Sequence, residues 1–516
     1  MCPYSLSASN VLQYHVCRLS DHGCQFDQLI AYLQQNQQRL SAQLPAENAL
    51  TVWSGQRLKI AGIGIAWQES FSGTDSFRKA QTTWQERCSH SQNLRNQIYN
   101  TSFFPNCNAD QECPPDSQPT PLAANTDNHI FREGTGAQFD ENKTDSTPAW
   151  PLVFGSFGFA PSTPSILLIP ALAVVSTDSG TWLWQARLQG ENSNVQGREA
   201  PPSPTLSTTK TSNPHQTITK GYPSAPTSAV AKPATLQTKM FSHSGESAPV
   251  CIEKSYPHLN PQAWMQAVEQ ARSEIQSGRA EKIVLARDIQ LRFDQEISLL
   301  RVTKYLANQY PNCWTYAIGN LVGASPEMLA SVLDGKLLCR VLAGSALPTR
   351  EKCLFSDPKE QLEHRLAVQS AEESLVNLGL DLQVPSPRLL RLGYVTHLAT
   401  DITAENLADQ GVTSLSAAGA LHPTAAVCGK PREVAANRLS ELEAMNRRRY
   451  AAPIGWMDAS GEGEWAIALR CAERHHSRGD IYRVIAGAGI MGDSNPQREL
   501  VETETKMSPM IRALTA

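Results

Sequence analysis

The sequence has no membrane-length apolar run, no extended basic segment and no Cys-x-x-Cys pair. Its first twenty residues contain neither the basic nor the apolar segment that directs secretion. Lysine and arginine are scattered along the chain, and 45 basic residues stand against 49 acidic ones, which gives a net charge of −4. These absences predict a cytoplasmic protein that binds neither membranes nor nucleic acid.

The cysteines and the overall composition point to a reduced, globular protein. The twelve cysteines lie far apart, so we expect reduced thiols rather than disulfides or a structural zinc site. The chain has 516 residues, of which 41% are apolar and 18% charged. A chain of this length and composition can bury a large core.

Two segments are poor in periodic apolar residues and divide the chain. Residues 105–149 and 191–249 are rich in proline, serine, threonine and asparagine, a composition typical of disorder. We therefore predict an N-terminal region over 1–190 with an insertion at 105–149, a disordered linker over 191–249, and a catalytic region over 250–516.

Strand and helix signals alternate in the ordered parts. Residues 59–66 are typical of a strand, and the two β-like runs on either side of Ser179 and Gly180 predict a hairpin. A helix is expected from Pro261 to a stop at Gly278.

A lysine lies at the start of the next predicted strand, 282–292. Alternation puts Lys282 on the same face as Val284 and Ala286, with larger aliphatic residues on the other face. A lysine among small apolar neighbours suits a binding site, although a strand-end lysine that reaches water is the alternative interpretation.

Two predicted helices begin with the same acidic pattern. Each opens on a capping residue followed by proline, and each carries Glu-x-x-Glu, namely Glu360 with Glu363 and Glu499 with Glu502. Acids near a helix N-terminus are favourable by themselves, and Lys506 could form an ordinary surface pair with Glu502. The repetition nevertheless favours one shared site, and carboxylate ligands suit Mg²⁺.

A further candidate site joins an arginine to glycines. Residues 465–470 alternate large and small side chains, which predicts a strand from which Arg470 emerges. The strand expected over 483–490 contains Gly487 and Gly489, so a ligand can approach its backbone closely. A guanidinium beside free N–H groups is a carboxylate receptor, whereas a structural ion pair is the simpler alternative.

Ten segments of the C-terminal half closely resemble the chorismate-utilising enzymes, a family that includes anthranilate synthase component I, aminodeoxychorismate synthase component I, isochorismate synthase and salicylate synthase. These segments are 282–287, 323–329, 342–345, 363–364, 397–400, 421–429, 455–456, 468–471, 486–490 and 499–506. The resemblance implies an α/β (α+β) fold, in which large antiparallel sheets pack against helices, as in anthranilate synthase component I.

The resemblance also implies a role for each candidate residue. Lys282 would be the general base and Glu327 the general acid. Glu363 and Glu502 would bind Mg²⁺, supported by Glu360 and Glu499. Substrate contacts would come from a third group of residues, namely Arg470, Lys506, Gly487, His397, Gly344, Ser345 and Ala426.

The nucleophile is suggested by one position of a loop motif. Aminating relatives carry a run similar to Pro-x-x-Thr-x-Ser-Gly-x-Pro-Lys, and Ala426 replaces its threonine here. The resemblance thus favours water, and the conversion of chorismate to isochorismate without a glutaminase subunit. Salicylate synthases, aminating enzymes and a non-catalytic chorismate-binding relative are the alternatives. A weak likeness of the N-terminal half favours the menaquinone or phylloquinone pathway over a siderophore pathway.

Overall fold

The computed structural model describes residues 11–20, 28–29, 50–55, 57–93, 148–188, 248–346, 348–391, 396–405 and 407–516. Except for the last two residues of each, the segments predicted to be disordered, 105–149 and 191–249, lie outside these ranges. Their disorder and the domain boundaries drawn from it therefore remain predictions. In the described part of the chain, no helix is both long enough and apolar enough to span a membrane.

The described residues form helices, two short 3-10 turns and many strands. The helices are α1 (Ser76–Ser89), α2 (Pro261–Gln276), α3 (Leu299–Gln309), α4 (Pro358–Val376), α5 (Ser414–Leu421), α6 (Arg432–Glu443) and α7 (Pro496–Thr515). The 3-10 turns are Pro348–Phe355 and Leu407–Gln410. The strands are β1 (Leu12–Ser20), β2 (Leu50–Ser54), β3 (Lys59–Phe71), β4 (Gln92–Asn93), β5 (Leu152–Ser156), β6 (Ser165–Thr177), β7 (Gly180–Leu188), β8 (Cys251–Ser255), β9 (Lys282–Phe293), β10 (Trp314–Ile318), β11 (Leu321–Ser325), β12 (Met328–Leu333), β13 (Lys336–Ala346), β14 (Arg388–Arg391), β15 (Thr396–Ala404), β16 (Gly429–Lys430), β17 (Pro453–Asp458), β18 (Gly463–Ile467), β19 (Cys471–His475) and β20 (Arg478–Ile490).

The strands form two sheet leaves joined at β6. The first leaf runs in the order β4-β1-β7-β6-β3-β2-β10-β11-β19-β20-β9, with β8 and β16 paired to opposite ends of β9, and the second runs β5-β17-β18-β12-β13-β15-β14. The start of β6 pairs with β5 and its end with β7, while β3 follows it throughout with a bulge between Ile65 and Trp67. Bulges bend a strand, so the two leaves diverge here and can face each other. Only the pairing of β1 with β4 is parallel among the described strands.

The fold class and most predicted elements are confirmed. Antiparallel sheets pack against helices, β6 and β7 form the predicted hairpin, and α2 ends where Gly278 follows. On β9, Ile283 and Leu285 belong to a hydrophobic cluster with α2 and α6, whereas Val284 lines a pocket on the other face. The predicted strand over 465–470 is wrong at its end, because β18 stops at Ile467.

One buried carboxylate connects the two leaves. Glu464 on β18 accepts hydrogen bonds from the indole N–H groups of Trp53 and Trp456, each at 3.2 Å, and of Trp314 at 3.3 Å. Trp53 and Trp314 lie in the first leaf, whereas Trp456 and Glu464 lie in the second. Burial raises the pKa of Glu464, and the three indole donors oppose that effect. A buried acceptor with three donors is expected to stabilise this contact between the leaves.

We expect Glu464→Gln to lower the free energy of unfolding by about 1–3 kcal/mol, because the new amide N–H₂ group must face an indole donor. The measurement is urea-induced unfolding followed by tryptophan fluorescence. Glu86→Gln, at an exposed position on α1, is the control and should change stability by less than about 0.5 kcal/mol. Equal stability of the two variants would contradict the proposed contribution of Glu464.

Candidate active site

Residues from both leaves and two helices line one pocket. Ten of the thirteen predicted site residues line it, namely Glu327, Gly344, Ser345, Glu363, His397, Ala426, Arg470, Gly487, Glu502 and Lys506. The other three lie next to lining residues: Lys282 is beside Glu363, Glu360 is beside Ser345, and Glu499 is beside Glu502. The sequence therefore identified residues that converge in space, although their chemical roles remain predictions.

Matching caps fix the two acidic helix ends at the pocket. The side chain of Asp357 accepts from the backbone N–H groups of Lys359 and Glu360 at the start of α4. Asn495 does the same for the first turn of α7, and proline occupies an early position in both helices. These caps satisfy N–H groups that a helix end leaves unpaired, and they hold both acidic turns in place.

The buried end of β9 places Lys282 against one of these glutamates. The Lys282 side chain is fully buried, and its Nζ lies 2.9 Å from Oε1 of Glu363. The alternative of a strand-end lysine that reaches water is therefore wrong. A fully buried amine keeps its charge only beside a compensating anion, which Glu363 supplies.

Two more lysines pair with the other helix. Lys506 Nζ lies 2.5 Å from Glu502 Oε1, and it also donates to the carbonyl of Gly487 at 3.0 Å. Lys359 Nζ lies 3.2 Å from Glu499 Oε1. Burial opposes the charge of Lys359, but nearby carboxylates, Glu499 first, outweigh it and raise its pKa. Sequence reasoning missed Lys359, although it directly precedes the predicted ligand Glu360.

The carboxylates interact strongly with one another. Burial, followed by the charge of Glu363, raises the pKa of Glu360 to about 7. Burial, followed by the charge of Glu502, raises the pKa of Glu499 to about 7. The backbone N–H of Ser345 donates to Glu360 at 2.7 Å. Two of the four carboxyl groups thus have raised pKa values, and three of the four pair with lysines. Together they form an anionic cluster that attracts cations.

This cluster fits Mg²⁺ in its donor chemistry. Carboxylate oxygens are hard ligands, and a Cβ at Gly489 would collide with Glu363 Oε1, so glycine keeps that space open. Among the described residues, no three acidic, histidine or cysteine side chains are already arranged around one point as a metal site. The lysines pair with three of the four glutamates instead, so a metal ion would have to replace lysine contacts.

Glu327 and His397 are both uncharged near neutral pH. Burial raises the pKa of Glu327 to about 8, although Lys282, Arg470 and Lys506 oppose the shift. Burial, followed by Arg470 and Lys506, lowers the pKa of His397 to about 3. The Nε2 atom of His397 is buried and has no hydrogen-bond partner within the described residues, which leaves it available to a ligand.

Arg470 follows β18 in a left-handed turn rather than in the predicted strand. Its φ is 50°, a conformation that non-glycine residues rarely adopt. Pairing between β19 and β20 reaches only Cys471 and Ile485, so beyond this point β20 pairs with β9 alone. The turn thereby brings Arg470 to the pocket beside Gly487 and an open strand edge.

A buried ion pair that the sequence did not reveal holds strand β9, which carries Lys282. Glu443 and Arg447 are both buried, and the guanidinium donates to the carbonyls of Val284 at 2.6 Å and Val427 at 2.7 Å. Glu443 accepts from the backbone N–H of Ala286 at 2.7 Å. The pair therefore connects β9 to the loop that carries Ala426. Its spacing of four residues resembles an ordinary helix pair, so no local signal distinguished it.

Comparisons with known proteins identify the family. A family model described as "Chorismate binding enzyme" matches residues 206–515. The chain belongs to this family. The match covers more than half of the chain and includes every predicted site residue.

Three bacterial relatives are similar to this chain over its C-terminal half. Isochorismate synthase DhbC of Bacillus subtilis is 32% identical over 50% of this chain and 69% of its own length. Isochorismate synthase MenF of the same organism is 35% identical over 50% and 56%. The salicylate biosynthesis isochorismate synthase of Pseudomonas aeruginosa is 38% identical over 49% and 55%. The matched segment thus spans between about half and seven tenths of these relatives.

Two solved structures share the fold. A putative 2,3-dihydroxybenzoate-specific isochorismate synthase, DhbC from Bacillus anthracis, has a TM-score of 0.59 and 22% identity over 92% of this chain and 99% of its own. MenF, the menaquinone-specific isochorismate synthase of Escherichia coli, has a TM-score of 0.62 and 18% identity over 98% and 96%. At these identities the likeness concerns the fold alone, and it agrees with the fold class expected from the sequence.

Proposed function

We propose that the protein is an isochorismate synthase, an isomerase that converts chorismate to isochorismate. The observation that carries the proposal is a pocket lined by a buried carboxyl, Glu327, whose pKa is about 8, with the buried amine of Lys282 beside it on the lining residue Glu363. Such a pair can remove a proton from water and supply one to a leaving hydroxyl. The printed names of the relatives above support the same activity.

The proposed reaction conserves the formula of the substrate. Lys282, once unprotonated, takes a proton from water, and the water oxygen bonds to C2 of chorismate. The C4–oxygen bond breaks while the ring double bonds shift, and Glu327 protonates the departing hydroxyl, which leaves as water. One water enters and one leaves, so the product is an isomer of the substrate.

Basic and neutral side chains would bind and orient the substrate. Chorismate carries two carboxylates, and Arg470 and Lys506 line the pocket as cations. We assign the enolpyruvyl carboxylate to Arg470, Lys506 and the backbone at Gly487, because a guanidinium and an ammonium bind carboxylates strongly. His397, Gly344 and Ser345 would contact the ring, and the unpartnered Nε2 of His397 supplies a hydrogen-bonding group there.

Mg²⁺ is the cofactor that the acidic cluster suits. Glu363 and Glu502 would bind the ion, while Glu360 and Glu499 would support them. Bound there, Mg²⁺ would supply positive charge that holds the ring carboxylate. Lys282 is held by Glu363 in the structure, so any ligand that engages Glu363 competes with this ion pair and changes the setting of the proposed base.

Water rather than ammonia is the proposed nucleophile. Ala426 lines the pocket where aminating relatives carry threonine, so this position offers a methyl group and no hydroxyl. The finer proposal places the enzyme in menaquinone or phylloquinone synthesis. MenF of Bacillus subtilis, at 35% identity, shares its name with the menaquinone-specific Escherichia coli enzyme, which supports that pathway, while DhbC and the salicylate-pathway relative support the activity without the pathway.

Incubation of the purified protein with chorismate, followed by chromatography, should give isochorismate only when Mg²⁺ is present. Lys282→Ala should reduce turnover by at least about 100-fold because the general base is lost, while the dissociation constant for chorismate stays within about threefold. Binding is measured by calorimetry.

Lys336→Ala is the matched control, since Lys336 is exposed and pairs only with the exposed Glu405 among the described residues. Salicylate and pyruvate as main products, or amino products formed with ammonium, would replace the proposal by one of its alternatives. Near-normal turnover by Lys282→Ala would refute the role of the lysine.

The pH dependence tests the proposed acid. Glu327 must be protonated to act, so kcat/KM should decline as pH rises through about 8, the pKa that burial gives this carboxyl. Stopped assays across pH 6 to 10 would measure the profile. In Glu327→Gln the remaining activity should be lower by about 10²–10⁴-fold and should lack this decline. A wild-type profile that stays flat to pH 10 would contradict the assignment.

A further inference from the structure

A second cavity, of about 300 Å³, lies outside the active pocket. It is lined by a polar group of residues that includes Ser162, Thr163, Asn320, Asn446, Arg449 and Glu473, with Arg448 beside them. None of these residues lines the active pocket. We call it the arginine cavity. Its volume is at the lower end of the range for small-molecule sites.

Three consecutive arginines line two different cavities. Arg447 turns towards the active pocket and pairs with Glu443, whereas Arg448 and Arg449 line the arginine cavity. Arg448 has a φ of 52°, so the chain turns sharply between the two sites. The left-handed turn costs free energy for a non-glycine residue, which shows that the surroundings enforce this arrangement.

Arg449 is a buried cation on which the charge of Glu473 acts from a distance, without direct contact. Its residue is only 8% exposed, and its guanidinium donates to the carbonyl of Ile318 at 3.2 Å and to the side-chain oxygen of Asn320. Within the described ranges, no carboxylate oxygen lies within 4.0 Å of it. Buried arginines are almost always paired with an anion, because removing the charge from water is costly.

The one acidic side chain of the cavity is already neutralised by other residues. Glu473 lies 3.1 Å from Arg448 and 4.0 Å from Arg483, and Asn320 donates to it at 3.3 Å. Two arginines and one glutamate therefore line the cavity, which leaves an excess of one positive charge at Arg449. Among the described residues, no anion is in direct contact with Arg449 to balance that charge.

We propose that the arginine cavity binds a small molecule through a carboxylate or phosphate group. The Arg449 guanidinium offers N–H groups in the forked geometry that such oxyanions match. Ser162 and Asn446 are exposed at the cavity and add a hydroxyl and an amide as further donors. This site is independent of the proposed reaction, since it shares no lining residue with the active pocket.

Binding of inorganic phosphate and of benzoate to the full chain tests the proposal. Calorimetry is done at constant ionic strength in the Arg470→Gln background, which removes the guanidinium of the proposed carboxylate receptor in the active pocket. We expect saturable binding of at least one anion, and the comparison of the two distinguishes phosphate from carboxylate recognition. Arg449→Met should weaken this binding at least tenfold. Arg78→Met, whose side chain is 80% exposed, should leave it unchanged.

A second variant covers the case in which Arg449→Met does not fold. Ser162→Phe keeps the guanidinium but fills the cavity from an exposed position, and it should also weaken binding at least tenfold. The proposal is overturned if neither anion binds saturably. It is equally overturned if binding persists in Arg449→Met or in Ser162→Phe, because the anion would then occupy another site.

Discussion

The compensation of buried negative charge by lysine is the constraint on which the site depends. Two capped helices bring four glutamates to one pocket, which Glu363 and Glu502 line, and these like charges would repel one another without nearby cations. Lys282, Lys359 and Lys506 supply that compensation at distances between 2.5 and 3.2 Å. Breaking a buried ion pair on one side typically costs about 3–5 kcal/mol, so each lysine constrains where its glutamate can lie.

Burial also determines the protonation states of two proposed site residues, Glu327 and His397. A carboxyl removed from water retains its proton and an imidazole loses it, which explains why Glu327 and His397 are both neutral although they share a pocket. The leaves must remain closely packed to exclude water from them. Glu464 and its three indole donors connect the leaves, so we expect this contact to help keep water out of the pocket.

Local sequence signals predicted most elements and half of the pocket-lining site residues, whereas Glu327, Gly344, Ser345, His397 and Ala426 came only from the family resemblance. The Pro-opened acidic turns, the alternation along β9 and the glycines of β20 depend on neighbours in the chain, and each was found in its expected place. Lys359 was missed because its partner Glu499 lies far away in the sequence. The pair of Glu443 with Arg447 was missed because the backbone groups that it binds on β9 are equally distant. The end of β18 was misjudged because alternation continues into the turn at Arg470, where backbone conformation rather than side-chain pattern ends the strand.

The pocket is small and its charged lining residues are already paired. The cavity holds only about 70 Å³, well below the volume of typical ligand sites, and its lining residues Glu363, Glu502 and Lys506 are all engaged in ion pairs. A ligand must therefore exchange these internal pairs for its own, and its affinity is the difference between the two sets of contacts. The proposed ligands suit that exchange. Chorismate brings two negative charges and Mg²⁺ two positive ones, so together they leave the net charge of the buried site unchanged. The ion would take the place of lysine beside the glutamates, and the carboxylates of chorismate would take the place of glutamate beside the lysines.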